Sequence, residues 1–61
     1  MIKAGDVFSL ADACLYLVLA VKRMSGTNVV ELLRLDGALS GTVTWEVEAR
    51  MLANEQWKKT T

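Results

Sequence analysis

The amino-acid sequence predicts a small all-β domain of five antiparallel strands, and three features carry that reading. The stretch "TVTWEVEAR", Thr42 to Arg50, alternates apolar and polar residues without a break, which is the period-two pattern of a half-buried strand. Four glycines and no proline divide 61 residues into pieces of strand length, with turn-forming surroundings at "MSGTN" and "LDGALSG". The connections between those pieces are short, so antiparallel neighbours are the natural pairing.

In chain order, strands are predicted over Asp6–Leu10, Cys14–Arg23, Asn28–Leu35, Thr42–Arg50 and a short segment around Trp57–Thr60. "DVFSL" and "NVVELLRLDG" are rich in β-branched residues beside turn residues, and "MLANEQ" reads as a single helical or 3₁₀ turn before the last strand. A small all-α domain is the competing class. "SLADACLYLVLAVKRMSG" offers Ser9 as an N-cap, Asp12 at the third helical position and Gly26 as a stop, and "TWEVEARMLANEQWKK" offers Thr44 as a cap with Glu46 facing Arg50. On a helix, however, Val43, Trp45, Val47 and Ala49 would scatter around the cylinder. That favours strand there, and agreement between segments extends the choice to the central run.

A chain of this length is one domain, 1–61, and a domain so small buries only ~60% of its unfolded surface. Cys14 is the sole cysteine and there is no histidine, which excludes an internal disulfide and a Cys/His zinc site. What remains is an efficient apolar core or burial against another chain, and a content of 52% apolar residues suits both. The formal net charge is zero, which favours association and provides no long-range field for polyanions. Asp6 interrupts any signal-peptide core, and the run from Leu10 to Val21 is too short to span ~30 Å of hydrocarbon. With an unpaired cysteine, the expectation is a soluble cytoplasmic protein with no membrane contact.

The opening Lys3-Ala4-Gly5-Asp6-Val7, the five-strand layout and the turn at "LANEQ" before "WKKTT" resemble the SH3-like small β-barrels. The resemblance implies a five-stranded antiparallel SH3-like barrel with one short helical turn before the last strand. It also implies a binding module, for proline-rich peptides, nucleic acid, ribosomal or polymerase surfaces, or as a subunit of a small oligomer. The compact chain is similar as well to the small accessory proteins carried by phages and mobile elements, which bind host machinery.

No residue pattern points to catalysis. Glu46 and Glu48 share the polar face of their strand and read as solvating charges, and Cys14 reads as a small buried hydrophobe with no nearby base to activate it. The expectation is a non-enzymatic protein that needs no cofactor and no metal. Trp45, between Val43 and Val47, is expected in the core. Trp57, among charges near the end of the chain, either closes the barrel or anchors a partner.

The central run "CLYLVLAV" poses the sharpest question. In a strand, Leu15, Leu17, Leu19 and Val21 form the expected core face, leaving Tyr16, Val18 and Ala20 on the other side, with Val30 and Leu32 continuing the stripe on the next strand. Strands apolar on both faces are normally covered on both. The stripe Tyr16, Val18, Ala20, Val30 and Leu32, with Trp57, is therefore the expected interface of a homo-oligomer, most simply a dimer, or with a protein partner. A nucleic-acid-associated barrel using Lys22, Arg23, Arg34, Lys58 and Lys59 is the alternative.

Overall fold

The computed structural model describes residues 1–60 and shows five strands and one short helix in the order β1 (Val7–Leu10), β2 (Cys14–Met24), β3 (Thr27–Arg34), β4 (Val43–Val47), α1 (Glu48–Ala53) and β5 (Trp57–Lys59). The strands form one antiparallel sheet ordered β4-β3-β2-β1-β5. The all-β class is therefore the observed one, and the all-α alternative is not. In the ladder, β4 pairs with β3 and β5 with β1, so these two strands are the edges of the order.

The helical reading of the central run fails at a turn. Ser9 lies in β1, and Ala11 and Asp12 both take positive φ, at 54° and 55°, folding the chain back so that Leu10 pairs with Cys14. The β2–β3 hairpin turns at Ser25 and Gly26, with φ of 51° and 78°. Two positive φ values in a two-residue loop are those of a type I′ turn, whose twist matches that of the strands it joins. Before β4, Gly41 (φ 88°) donates its N–H to the Arg34 carbonyl at 2.8 Å, and the Arg34 N–H donates to the Thr42 carbonyl at 2.9 Å. This is the bond pattern of a glycine bulge, which opens β4.

The predicted strand Thr42–Arg50 is shortened at its end: Glu48, Ala49 and Arg50 belong to α1. Glu-Ala-Arg-Met-Leu-Ala is a run of strong helix formers, with Glu48 in the first turn and Arg50 in the last, where each charge suits the helix dipole. Local propensity ends the strand while the apolar/polar alternation still runs on in the sequence.

The core consists of Ile2, Phe8, Val18, Val30, Leu32 and Met51, all buried, with Tyr16, Val21 and Trp57 packed against it. This reverses the expected faces of β2 and β3. Val18, Val30 and Leu32, expected at an interface, are the most completely buried side chains, whereas Leu15 and Leu19, expected in the core, are each 38% exposed. Trp45, likewise expected inside, is 48% exposed, and Glu46 rather than Trp45 lies opposite Val30.

Two causes produce the reversal. The inner face is covered by Ile2, from the segment before β1, and by Met51 of α1, neither of which belongs to a strand pattern. In addition, β2 carries a bulge: Val18 pairs with Leu32 but Ala20 pairs with Glu31, leaving Leu19 as an extra residue. The alternation shifts by one, so Val21, opposite Val30, follows Val18 inward while Ala20 turns outward.

Candidate interaction surface

The outer face of the sheet carries several apolar side chains that the fold leaves uncovered. Directly opposed residues share a face, and the register aligns Val7, Leu17, Leu33 and Val43 in one row across β1, β2, β3 and β4. Leu17 and Leu33, at the centre of the row, are half-buried by their neighbours, while Leu15, Leu19, Leu35 and Val43 around them are exposed. Contiguous apolar area beyond scattered single residues is unusual on a small soluble chain and marks contact surfaces. Beyond this row the face becomes amphipathic: Lys22 Nζ lies 5.1 Å from the centre of the Trp45 ring and 4.0 Å from Glu31 Oε1.

Of the six expected interface residues, only Ala20 lies on this face, and it is half-buried. Val18, Val30 and Leu32 are core, and Tyr16 and Trp57 pack on the inner side. Trp57 meets Tyr16 at a ring separation of 5.2 Å and Phe8 edge-on at 6.5 Å, so the three aromatics scattered in the sequence form one cluster. The Arg34 guanidinium lies 5.5 Å from the Tyr16 ring centre. The aromatic contacts fasten β5 onto β1 and β2, and the Arg34 contact ties β3 to β2.

The five candidate cations are occupied rather than arrayed. Lys22 pairs with Glu31 and Arg34 with Asp36, while Lys58 lies 3.8 Å from Asp12 and Lys59 3.5 Å from Asp6. Arg23 donates to Asn28 Oδ1 at 3.3 Å, and Asn28 in turn donates to Glu48 Oε1 at 3.1 Å. A phosphate-tracking surface needs cations whose charge is not already balanced by neighbouring carboxylates. Here four of them have carboxylate neighbours and the fifth is tied to an amide.

Two carboxylates hold the frame of the surface together. Asp6 is almost completely buried; it accepts the Lys3 backbone N–H at 3.0 Å, while the Asp6 N–H donates to the Lys3 carbonyl at 3.1 Å. That closed turn, with Gly5 N–H bonded to the Val18 carbonyl and Val18 N–H to the Asp6 carbonyl, delivers Ile2 to the core. The "KAGDV" motif thus has a structural role here. Asp36 Oδ1 accepts the Leu15 N–H and the Arg34 Nε–H, both at 3.0 Å, joining the end of β3 to the start of β2. The Lys3 N–H holds the Asp6 carboxyl below the ordinary carboxylate range, with help from Lys59. The Leu15 N–H and then Arg34 do the same for Asp36.

Among the described residues there is no cluster of three or more metal-ligating side chains, and no helix is long and apolar enough to cross a membrane. Two depressions among the described residues are open to solvent. One is lined by Ala11, Asp12, Glu55, Gln56 and Lys58, the other by Arg23, Asn28, Glu48 and Leu52 among others. The outer face could have been found in the sequence, because the two-sided apolar character of β2 and β3 requires one uncovered side; which side it is depends on Ile2, Met51 and the bulge. Comparison with protein-family models, curated proteins and solved structures gives no match.

Proposed function

We propose that this chain is a non-enzymatic interaction module whose working surface is the outer face of its sheet. The observation that supports this most is the row Val7, Leu17, Leu33 and Val43 with exposed Leu15, Leu19 and Leu35 around it, on a domain too small to cover both faces itself. The partner it suits is a protein with a complementary apolar patch, since the amphipathic Lys22–Glu31–Trp45 margin supplies the polar rim such contacts carry. The order of strands and the helix before β5 also support the SH3-like reading, whose members serve as binding modules.

The test is a pull-down with the wild-type chain and with Leu19→Lys, each immobilised at equal density. Leu19 is a bulge residue with an exposed side chain, so the lysine variant keeps its fold while losing specific partners. Recovery of the same partners by both chains would move the working surface elsewhere.

A further inference from the structure

We propose that the chain self-associates through the open edge of β4, pairing antiparallel with a second copy about a two-fold axis at Thr44. The inference concerns a different surface from the outer face and deepens the reading above by doubling that face. In an antiparallel ladder, opposed residues alternate between pairs that exchange both main-chain bonds and pairs that exchange none. The Arg34–Thr42 bond fixes the phase, and the continuous register then makes Leu32–Thr44 and Val30–Glu46 the bonded pairs. Val43, Trp45 and Val47 therefore aim their N–H and C=O groups away from β3, toward the edge.

Their fates differ. The Val47 N–H is taken by the carboxylate of Glu46, Oε1 at 3.0 Å. Val43 and Trp45 sit in an exposed stretch, and among the described residues no backbone bond from their N–H groups to a turn or loop occurs. These two residues flank Thr44 symmetrically. A two-fold axis there places Val43 opposite Trp45 of the other copy, and Trp45 opposite its Val43, so all the free groups are paired while Glu46 keeps the Val47 N–H. Thr44 meets Thr44, Glu46 meets Thr42, and no like charges are opposed. The strand is self-complementary.

The opposite edge shows what protection looks like. β5 is three residues long and two of them are lysines, the usual means of blunting an edge, whereas residues 42–47 contain neither lysine nor proline. Joined at β4, two sheets become one of ten strands, and the outer-face row that ends at Val43 continues into Trp45 of the other copy, so the two outer faces lie on one side. An edge contact buries less than the ~800 Å² per partner of a standard interface, so the dimer is weak and concentration-dependent.

The experiment is amide hydrogen exchange by NMR with sedimentation velocity on the same samples, from ~50 μM to ~1 mM. The expected result is a rise toward dimer mass with concentration, accompanied by slowing of the Val43 and Trp45 amides by about tenfold. Val43→Pro is the matching variant. Val43 is the first residue of β4 and its N–H points to the edge, a position that tolerates proline, so the variant stays folded and monomeric. Trp45→Lys, at an exposed position, provides a second monomeric variant should the proline disturb folding. Leu19→Lys leaves this dimer intact, so failure of the outer-face reading is seen separately. A strict monomer at ~1 mM overturns the proposal, as does a dimer with unprotected Val43 and Trp45 amides. Protection at Lys59 together with β4 also overturns it, because that pattern belongs to a head-to-tail β4–β5 contact.

Discussion

Val18 and Leu19 are adjacent in the chain and nearly alike in chemistry, yet one is 1% exposed and the other 38%. The inner face of the sheet has a cover supplied from outside the strands, by Ile2 and Met51, and the outer face has none. Burial in so small a domain is thus decided less by how apolar a strand face is than by what the rest of the chain can lay over it. Both faces of β2 and β3 are apolar. Only one side has a helix packed against it.

Matched lysine substitutions test this most severely. Val18→Lys places a charge among fully buried side chains with no partner, which costs several kcal/mol, comparable to the ~3–5 kcal/mol that a core of this size supplies. The variant should show an unfolded far-ultraviolet circular dichroism spectrum. Leu19→Lys should keep the native spectrum and lie within about 1 kcal/mol of wild type in urea denaturation. If both unfold, the two faces are equally core and the distinction collapses.

The cover can be probed by itself. Met51→Ala removes the helix side chain from the inner face and should cost about 2–4 kcal/mol in denaturant midpoint analysis. A smaller loss would show that α1 is a loose lid. Acid tests the frame that sets the cover in place. Asp6 and Asp36 both titrate below their ordinary value in the folded chain, so the stability they contribute is complete above the unfolded value, ~3.9, and is lost as pH falls through the lower folded values. Urea midpoints should fall across that window, and Asp6→Asn should flatten the decline; an unchanged slope would remove Asp6 from the frame. The smallest effect is expected at the β1–β2 turn, where Ala11 holds a left-handed φ of 54°. Ala11→Gly relieves that strain and should raise the midpoint by up to about 1 kcal/mol equivalent.

Much of the fold can be read from the residues. The five strands, their antiparallel order and the shortness of the last one follow from period-two alternation and from glycine and turn punctuation, and all five lie within a few residues of their expected positions. The division of residues between faces is also largely readable, because Leu17, Leu33 and Val43 do fall together. Four things are not. The bulge at Leu19 shifts the alternation without any glycine to announce it. Helix α1 begins where β-type alternation still continues through Arg50. Ile2, outside every strand, tips the balance of which face is covered through the four-residue turn from Lys3 to Asp6, a local motif with a long-range consequence. The cluster of Phe8, Tyr16 and Trp57 is hidden for a related reason, since Trp57 reaches Phe8 and Tyr16, themselves opposed across β1 and β2, only through the β1–β5 pairing.

The unequal surroundings of the two tryptophans give the molecule a built-in pair of optical reporters. Trp57 lies against Phe8 and Tyr16 on the inner side, so its emission follows the docking of β5 onto β1. Trp45 stands half in solvent beneath the Lys22 ammonium at the β4 edge, where its emission and its quenching by iodide follow events on the outside of the sheet. With Trp45→Phe and Trp57→Phe, folding and assembly become separately visible by fluorescence in a chain that carries no dye.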